Sequence, residues 1–141
     1  HRTNFLLGHP YGKDFRYDEM MLTSPGKAGK AAANAVVDML KNPFGAKPPK
    51  PGEGPSKEER EKGHYDVVFI GEWPDGRRRH YGVKGRYDPG YGSTSRMLAE
   101  TGIAVSTSDA EGGVGTPGAF LGEALVERLR EHAALTFAVE E

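Results

Sequence analysis

Residues 65–76, Tyr-Asp-Val-Val-Phe-Ile-Gly-Glu-Trp-Pro-Asp-Gly, leave the backbone few choices. Tyr65, Val67, Phe69 and Trp73 fall on alternate positions, the period at which side chains share one face of a strand, and Val68 and Ile70 make the middle of the other face apolar too. A strand apolar on both faces is expected in the middle of a sheet. Pro74 presets φ at the first turn position and Gly76 accepts a left-handed conformation, so residues 77–87 should return antiparallel. On that return strand Tyr81 and Val83 face one way, and Arg78, His80, Lys84 and Arg86 the other.

The rest of the chain supplies helices and a further strand or two. Ala28, Ala31, Ala32, Ala35, Val36, Met39 and Leu40 recur at three- and four-residue spacing, predicting a helix over 27–41 that Asn42-Pro43 stops. Before it, Gly8-His-Pro-Tyr-Gly12 reads as a turn and residues 15–22 as a strand, with Arg16 and Asp18 between aromatic and long apolar residues. Five prolines and three glycines over residues 42–55 predict an extended linker spanning 42–56. Ser56-Lys-Glu-Glu59 has the order of a capping box, Glu58 and Lys62 are spaced to pair, and Gly63 ends that short helix. Thr116-Pro117 places a capping hydroxyl before a first-turn proline, and Leu121, Leu125 and Leu129 form the stripe of a C-terminal helix, followed by a strand over 135–139. The fold class expected is α+β: a mixed or antiparallel sheet with helices packed on one face, plus a C-terminal helix-strand return segment.

Two glycine-rich loops, Asp88-Pro-Gly-Tyr-Gly-Ser-Thr94 and Gly112-Gly-Val-Gly-Thr-Pro117, each open a helix and so direct free backbone N–H groups outward. In the first, Gly90 and Gly92 allow close backbone approach and Ser93 or Thr94 can cap the helix. The backbone of Gly90, Tyr91, Gly92, Ser93 and Thr94 could therefore border a substrate or cofactor, or simply form a strand-to-helix turn. In the second, Gly113, Gly115 and Gly118 spell a dinucleotide-binding fingerprint. Pro117 removes one N–H, and six polar or small residues separate the loop from any preceding strand, so helix capping is the plainer reading. Arg78, His80, Lys84 and Arg86 could hold a carboxylate, since arginine forks pair with carboxylates bidentately; alternating charge on a strand is more often a solvated face.

Composition removes whole classes. A net charge of −1 argues against a nucleic-acid partner, and zero cysteines exclude disulfides and thiolate metal sites. No apolar run reaches the ~20 residues of a membrane span. A cytoplasmic location suits a chain without disulfides. The five histidines are scattered without partners at helical spacing, so no metal site is expected. No catalytic constellation is legible: there is no nucleophile elbow and no convergent histidine and carboxylate. The opening His1-Arg-Thr-Asn, lacking both initiator methionine and signal-peptide order, suggests a portion of a longer protein.

The run 50–63 (Lys-Pro-Gly-Glu-Gly-Pro-Ser-Lys-Glu-Glu-Arg-Glu-Lys-Gly), Phe69-Ile-Gly-Glu72, Asp88 through Glu100, Gly113-Val-Gly-Thr-Pro117 and Leu135-Thr-Phe137 together resemble the C-terminal portion of saccharopine dehydrogenase-like oxidoreductases, including their trans-acting enoyl reductase branch. The resemblance implies hydride transfer with NAD(P), carried out only together with an N-terminal Rossmann domain; this portion would bind no cofactor alone and be inactive alone. It further implies a substrate-side and oligomerisation domain over 1–105, and a loop, helix and strand over 106–141 that pack on the Rossmann domain. The partners implied are that domain, a second subunit in a homodimer, and a small-molecule or acyl substrate. Family members continue the 97–100 helix into an apolar segment, whereas Gly102 and Ser106-Thr-Ser-Asp109 are expected to interrupt it here, with a brief strand at 103–105. The reading from a different class is a non-enzymatic protein-interaction domain whose apolar helices pack on another protein.

Overall fold

The computed structural model describes residues 1–42, 50, 52–109 and 111–140. Most of the expected linker, residues 43–49 and 51, lies outside the described residues. The chain divides into two compact units, one formed by residues 1–13 with 55–141 and the other by residues 14–54.

The larger unit is α+β, with a three-stranded antiparallel sheet in the order β1-β2-β3, where β1 is Tyr65–Glu72, β2 Arg78–Gly85 and β3 Leu135–Glu140. The turn chemistry closes the first hairpin as expected: Gly76 N–H donates to the Trp73 carbonyl at 2.9 Å, Gly76 takes φ +83°, and Trp73 N–H donates to Arg77 at 2.9 Å. This is a three-residue loop in which the left-handed glycine sets the register. Val67 then opposes Val83, and Val83 opposes Phe137. Opposed residues share a face, so one face carries Tyr65, Val67, Phe69, Tyr81, Val83, Leu135, Phe137 and Val139. The other carries Asp66, Val68, Ile70, Glu72, Arg78, His80, Lys84, Thr136, Ala138 and Glu140.

The order corrects one expectation: β1 is an edge strand and β2 the central one. Apolar residues on both faces of β1 do not reflect burial within the described residues, for Val67, Val68 and Phe69 are exposed and Ile70 is 63% exposed.

Helices occupy one end of the first face. α3 (Lys57–Lys62) precedes β1, α4 (Gly92–Ser106) follows β2, and α5 (Pro117–Phe120) and α6 (Gly122–His132) precede β3. Leu129, Ala133 and Leu135 form the buried core, joined by Val83, Met97, Leu125 and Phe137. Helix α4 does not stop at Gly102, and residues 103–105 form no strand. The helix runs on to Ser106, because contact with α6 outweighs the roughly 1 kcal/mol that an internal glycine costs. A partly buried ion pair, Arg128 Nε to Glu100 Oε2 at 2.7 Å, ties the two helices together. The C-terminal stripe is broken as well: Gly122 at φ +52° separates α5 from α6, leaving Leu125 and Leu129 as the part of the stripe on the core side.

The first helix, α1 (Arg2–Leu6), belongs to this unit and was not legible in the sequence. Buried Asn4 holds the following turn, donating to the Gly12 carbonyl at 2.8 Å and accepting from Tyr11 N–H at 3.0 Å.

The smaller unit holds α2 (Gly26–Lys41), close to its predicted bounds. Gly29 is needed there for space: a Cβ would fall on the Ser24 carbonyl oxygen. Residues 15–22 form no strand. The sheet does not include them, and an alternating segment outside a ladder is not a stable strand.

Candidate functional site

The first glycine loop is built around the Asp88 side chain. Its carboxylate accepts from Gly90 N–H at 2.9 Å, Tyr91 N–H at 3.2 Å and Gly92 N–H at 2.5 Å, while its carbonyl accepts from Ser93 N–H at 2.8 Å. Gly92 and Ser93 are the first donors of α4, whose N-cap position is Tyr91, and Asp88 satisfies both from ahead of the helix; neither Ser93 nor Thr94 caps it. The Gly92 amide above all, then those of Gly90 and Tyr91 and the charge of Arg60, hold the Asp88 carboxyl below the usual aspartate range; partial desolvation opposes them.

The other hydroxyls of the loop are engaged elsewhere. Ser93, fully buried, pairs with Tyr65 Oη at 2.9 Å, and Thr94 Oγ1 donates to the Pro89 carbonyl at 2.6 Å. Two glycines give the loop its close neighbours. A Cβ on Gly92 would lie 2.6 Å from the Arg60 carbonyl oxygen, and one on Gly63 would lie 2.5 Å from Asp88 Cα. Gly63 has φ −61°, so proximity to Asp88 demands glycine there, and helix termination does not. The capping box forms as read, with Glu59 N–H donating to Ser56 Oγ at 3.2 Å and Ser56 N–H to Glu59 Oε2 at 2.7 Å. Arg96 completes the junction, donating to the Gly92 carbonyl at 2.6 Å with its guanidinium 3.6 Å from the Tyr87 ring centroid. Tyr91 is the large side chain the turn exposes.

The basic strand residues are held by acids across the sheet. Arg78 Nε donates to Glu72 at 2.9 Å. Lys84 Nζ lies 3.2 Å from Asp66 and 3.7 Å from Glu140, which together raise its pKa, Asp66 more strongly. The Glu140 carboxylate crosses Gly82, whose missing side chain leaves it room. His80 sits between these pairs, opposite Ile70 and Glu140, and Arg86 lies beyond the end of β2. Arg78, His80 and Lys84 therefore share one sheet face, with acidic partners at both ends of it; Arg86 is outside the ladder.

The second glycine loop does not make a dinucleotide cradle. Helix α4, and no strand, precedes it in the chain, and the helix it opens is only four residues long. A Cβ on Gly115 would lie 2.6 Å from the Phe120 ring, so that glycine serves packing. Thr116 caps nothing; its Oγ1 pairs with Thr3 Oγ1 of α1 at 2.8 Å. The residues present do not fit a nicotinamide dinucleotide at this loop. Among the described residues no three His, Cys, Asp or Glu side chains gather to hold a metal, and no helix is long and apolar enough to cross a membrane.

Over most of its length the chain is similar in sequence to proteins named trans-acting enoyl reductases. A Mycobacterium tuberculosis protein provisionally so named is 35% identical over 148 residues, covering 91% of this chain and 35% of the relative. The trans-acting enoyl reductase of Mycobacterium ulcerans is 31% identical over 97% of this chain and 37% of its own, and that of Mycobacterium bovis 33% over 91% and 35%. The chain thus spans about a third of the length of these relatives. No protein-family model matches it, and no solved structure does.

Proposed function

We propose that this chain is the C-terminal, substrate-side and subunit-contact part of an NAD(P)-dependent enoyl reductase akin to the saccharopine dehydrogenase-like oxidoreductases. Hydride transfer would require an N-terminal Rossmann domain outside these residues. One observation carries the reading: similarity extends along nine-tenths of this chain but only a third of its enoyl reductase relatives. A sheet with Ile70 and Val139 each more than 60% exposed, on opposite faces, is consistent with a unit that other polypeptide covers.

In this proposal residues 106–141 pack on the Rossmann domain, and the free edge of β1 or the helix α2 meets a second subunit. Gly90, Tyr91, Gly92, Ser93 and Thr94 border the substrate or nicotinamide as a preformed wall. Because Asp88 already holds the loop amides, Tyr91 is the member able to touch a ligand. Of the residues Arg78, His80, Lys84 and Arg86, the first and third would meet a substrate carboxylate only by exchange of their existing acid partners.

The test is NADPH oxidation in the presence of a 2-enoyl thioester, measured for the 141-residue chain and for a polypeptide extended upstream to the relatives' length. Turnover and NADPH binding are expected in the extended protein alone. If the chain unaided binds NADPH at micromolar concentration and reduces the thioester, the assignment is wrong.

A further inference from the structure

The helices cover only one end of the first sheet face. The uncovered end presents Phe69 and Tyr81 and finishes at the β1–β2 hairpin, where Trp73, Arg77, Arg78 and Arg79 line a concave patch. The three consecutive arginines differ in one respect. Arg77 Nε donates to Asp75 at 2.7 Å and its guanidinium stands 5.6 Å from the Trp73 ring centroid. Arg78, on the opposite face, is bound by Glu72 at 2.8 Å. Arg79 has no acidic partner among the described residues. It is in register with Gly71, and the Trp73 indole lies across that glycine, 3.6 Å from where a Cβ would be.

A guanidinium without an internal counter-ion in one concave patch with an indole that is 42% exposed has a definite complement. The planar fork pairs two oxygens of a phosphate or carboxylate, and the indole takes a flat apolar body by stacking. Local charge agrees: Asp75 and Glu72 offset two of the three arginines, leaving one cation for one oxyanion. We propose that the hairpin tip is a binding site for an oxyanion carried on a planar apolar body, the oxyanion on Arg79 and the body on Trp73 toward Phe69 and Tyr81. This site is independent of the oxidoreductase reading and would persist if that reading failed.

Trp73 is the sole tryptophan, so its fluorescence reports the site directly. The 141-residue chain would be titrated with phenyl phosphate, benzoate and inorganic phosphate. A saturable change is expected with phenyl phosphate or benzoate, the tighter of the two identifying the oxyanion, and binding about tenfold weaker for inorganic phosphate, which lacks the stacking body. Arg79→Gln, with an unchanged far-ultraviolet circular dichroism spectrum, should weaken binding by about tenfold, the scale of one charge-assisted fork. Arg79→Lys should recover part of the loss, and Lys57→Gln, on α3 and outside the patch, should have no effect. The proposal is overturned by the absence of a saturable change, by Arg79→Gln binding as tightly as the parent, by Lys57→Gln weakening binding equally, or by inorganic phosphate matching phenyl phosphate.

Discussion

Gly102→Ala separates two accounts of helix α4 by sign. If the helix ended at Gly102, this residue would hold a left-handed terminal conformation and alanine would cost about 1 kcal/mol or more. In the structure Gly102 is inside α4, is absent from the residues with positive φ, and has nothing within 4 Å of where a Cβ would lie. Alanine there meets no neighbour and narrows the unfolded ensemble, so stability should rise by about 0.5–1 kcal/mol. With a urea m-value of about 1–2 kcal/mol/M for a domain of this size, the midpoint should move up by about 0.5 M. Circular dichroism at 222 nm and Trp73 fluorescence would follow the transition together. Gly63→Ala is the counterpart, because a Cβ there would be 2.5 Å from Asp88 Cα. Backbone, and no flexible side chain, must yield, at about 1–3 kcal/mol. A fall in midpoint for Gly102→Ala, or no loss for Gly63→Ala, would refute this account of the two glycines.

Leu129, 8% exposed in the small core, should lose about 2–4 kcal/mol on replacement by alanine, while Val139→Ala, 64% exposed, should change the urea midpoint by less than about 0.3 M. Arg128→Met should cost about 2 kcal/mol, less than a fully buried pair because the two side chains remain 29% and 18% exposed, and the double variant with Glu100→Leu should regain part of it. Asp88 and Glu59 both have depressed pKa values, Asp88 chiefly through the Gly92 amide and Glu59 through Ser56. Their stabilisation is complete above the unfolded carboxylate range near about pH 4 and is lost as pH falls through the lower folded values. Urea midpoints taken from about pH 6 down to about pH 3 should therefore drop, and Asp88→Asn should flatten that slope.

Local chemistry was legible wherever a motif completes itself within a few residues. The Pro74-Asp75-Gly76 turn, the Ser56–Glu59 capping box, and the bounds of α2 depend on neighbours in sequence, and they form as read. What failed depends on distant partners. Residues 15–22 alternate like a strand but have no ladder; Gly102 looks like a stop but lies in a helix held by α6 through Glu100 and Arg128. The first glycine loop shows the same division most sharply. Its residue types announced a helix N-terminus with donors to satisfy, which it is, yet several side chains could have satisfied them. Asp88 takes the role because Gly63 admits it on one side and Gly92 on the other, a three-way fit between segments 25 to 29 residues apart at its ends that no single window of sequence contains. The same reasoning explains β1. Alternation is a local property and identified the strand, but position within a sheet depends on which strands are present to pair, and among the described residues β2 alone pairs with it. An edge strand apolar on both faces is costly to leave in water, and that cost is the physical ground of the proposal that other polypeptide covers it.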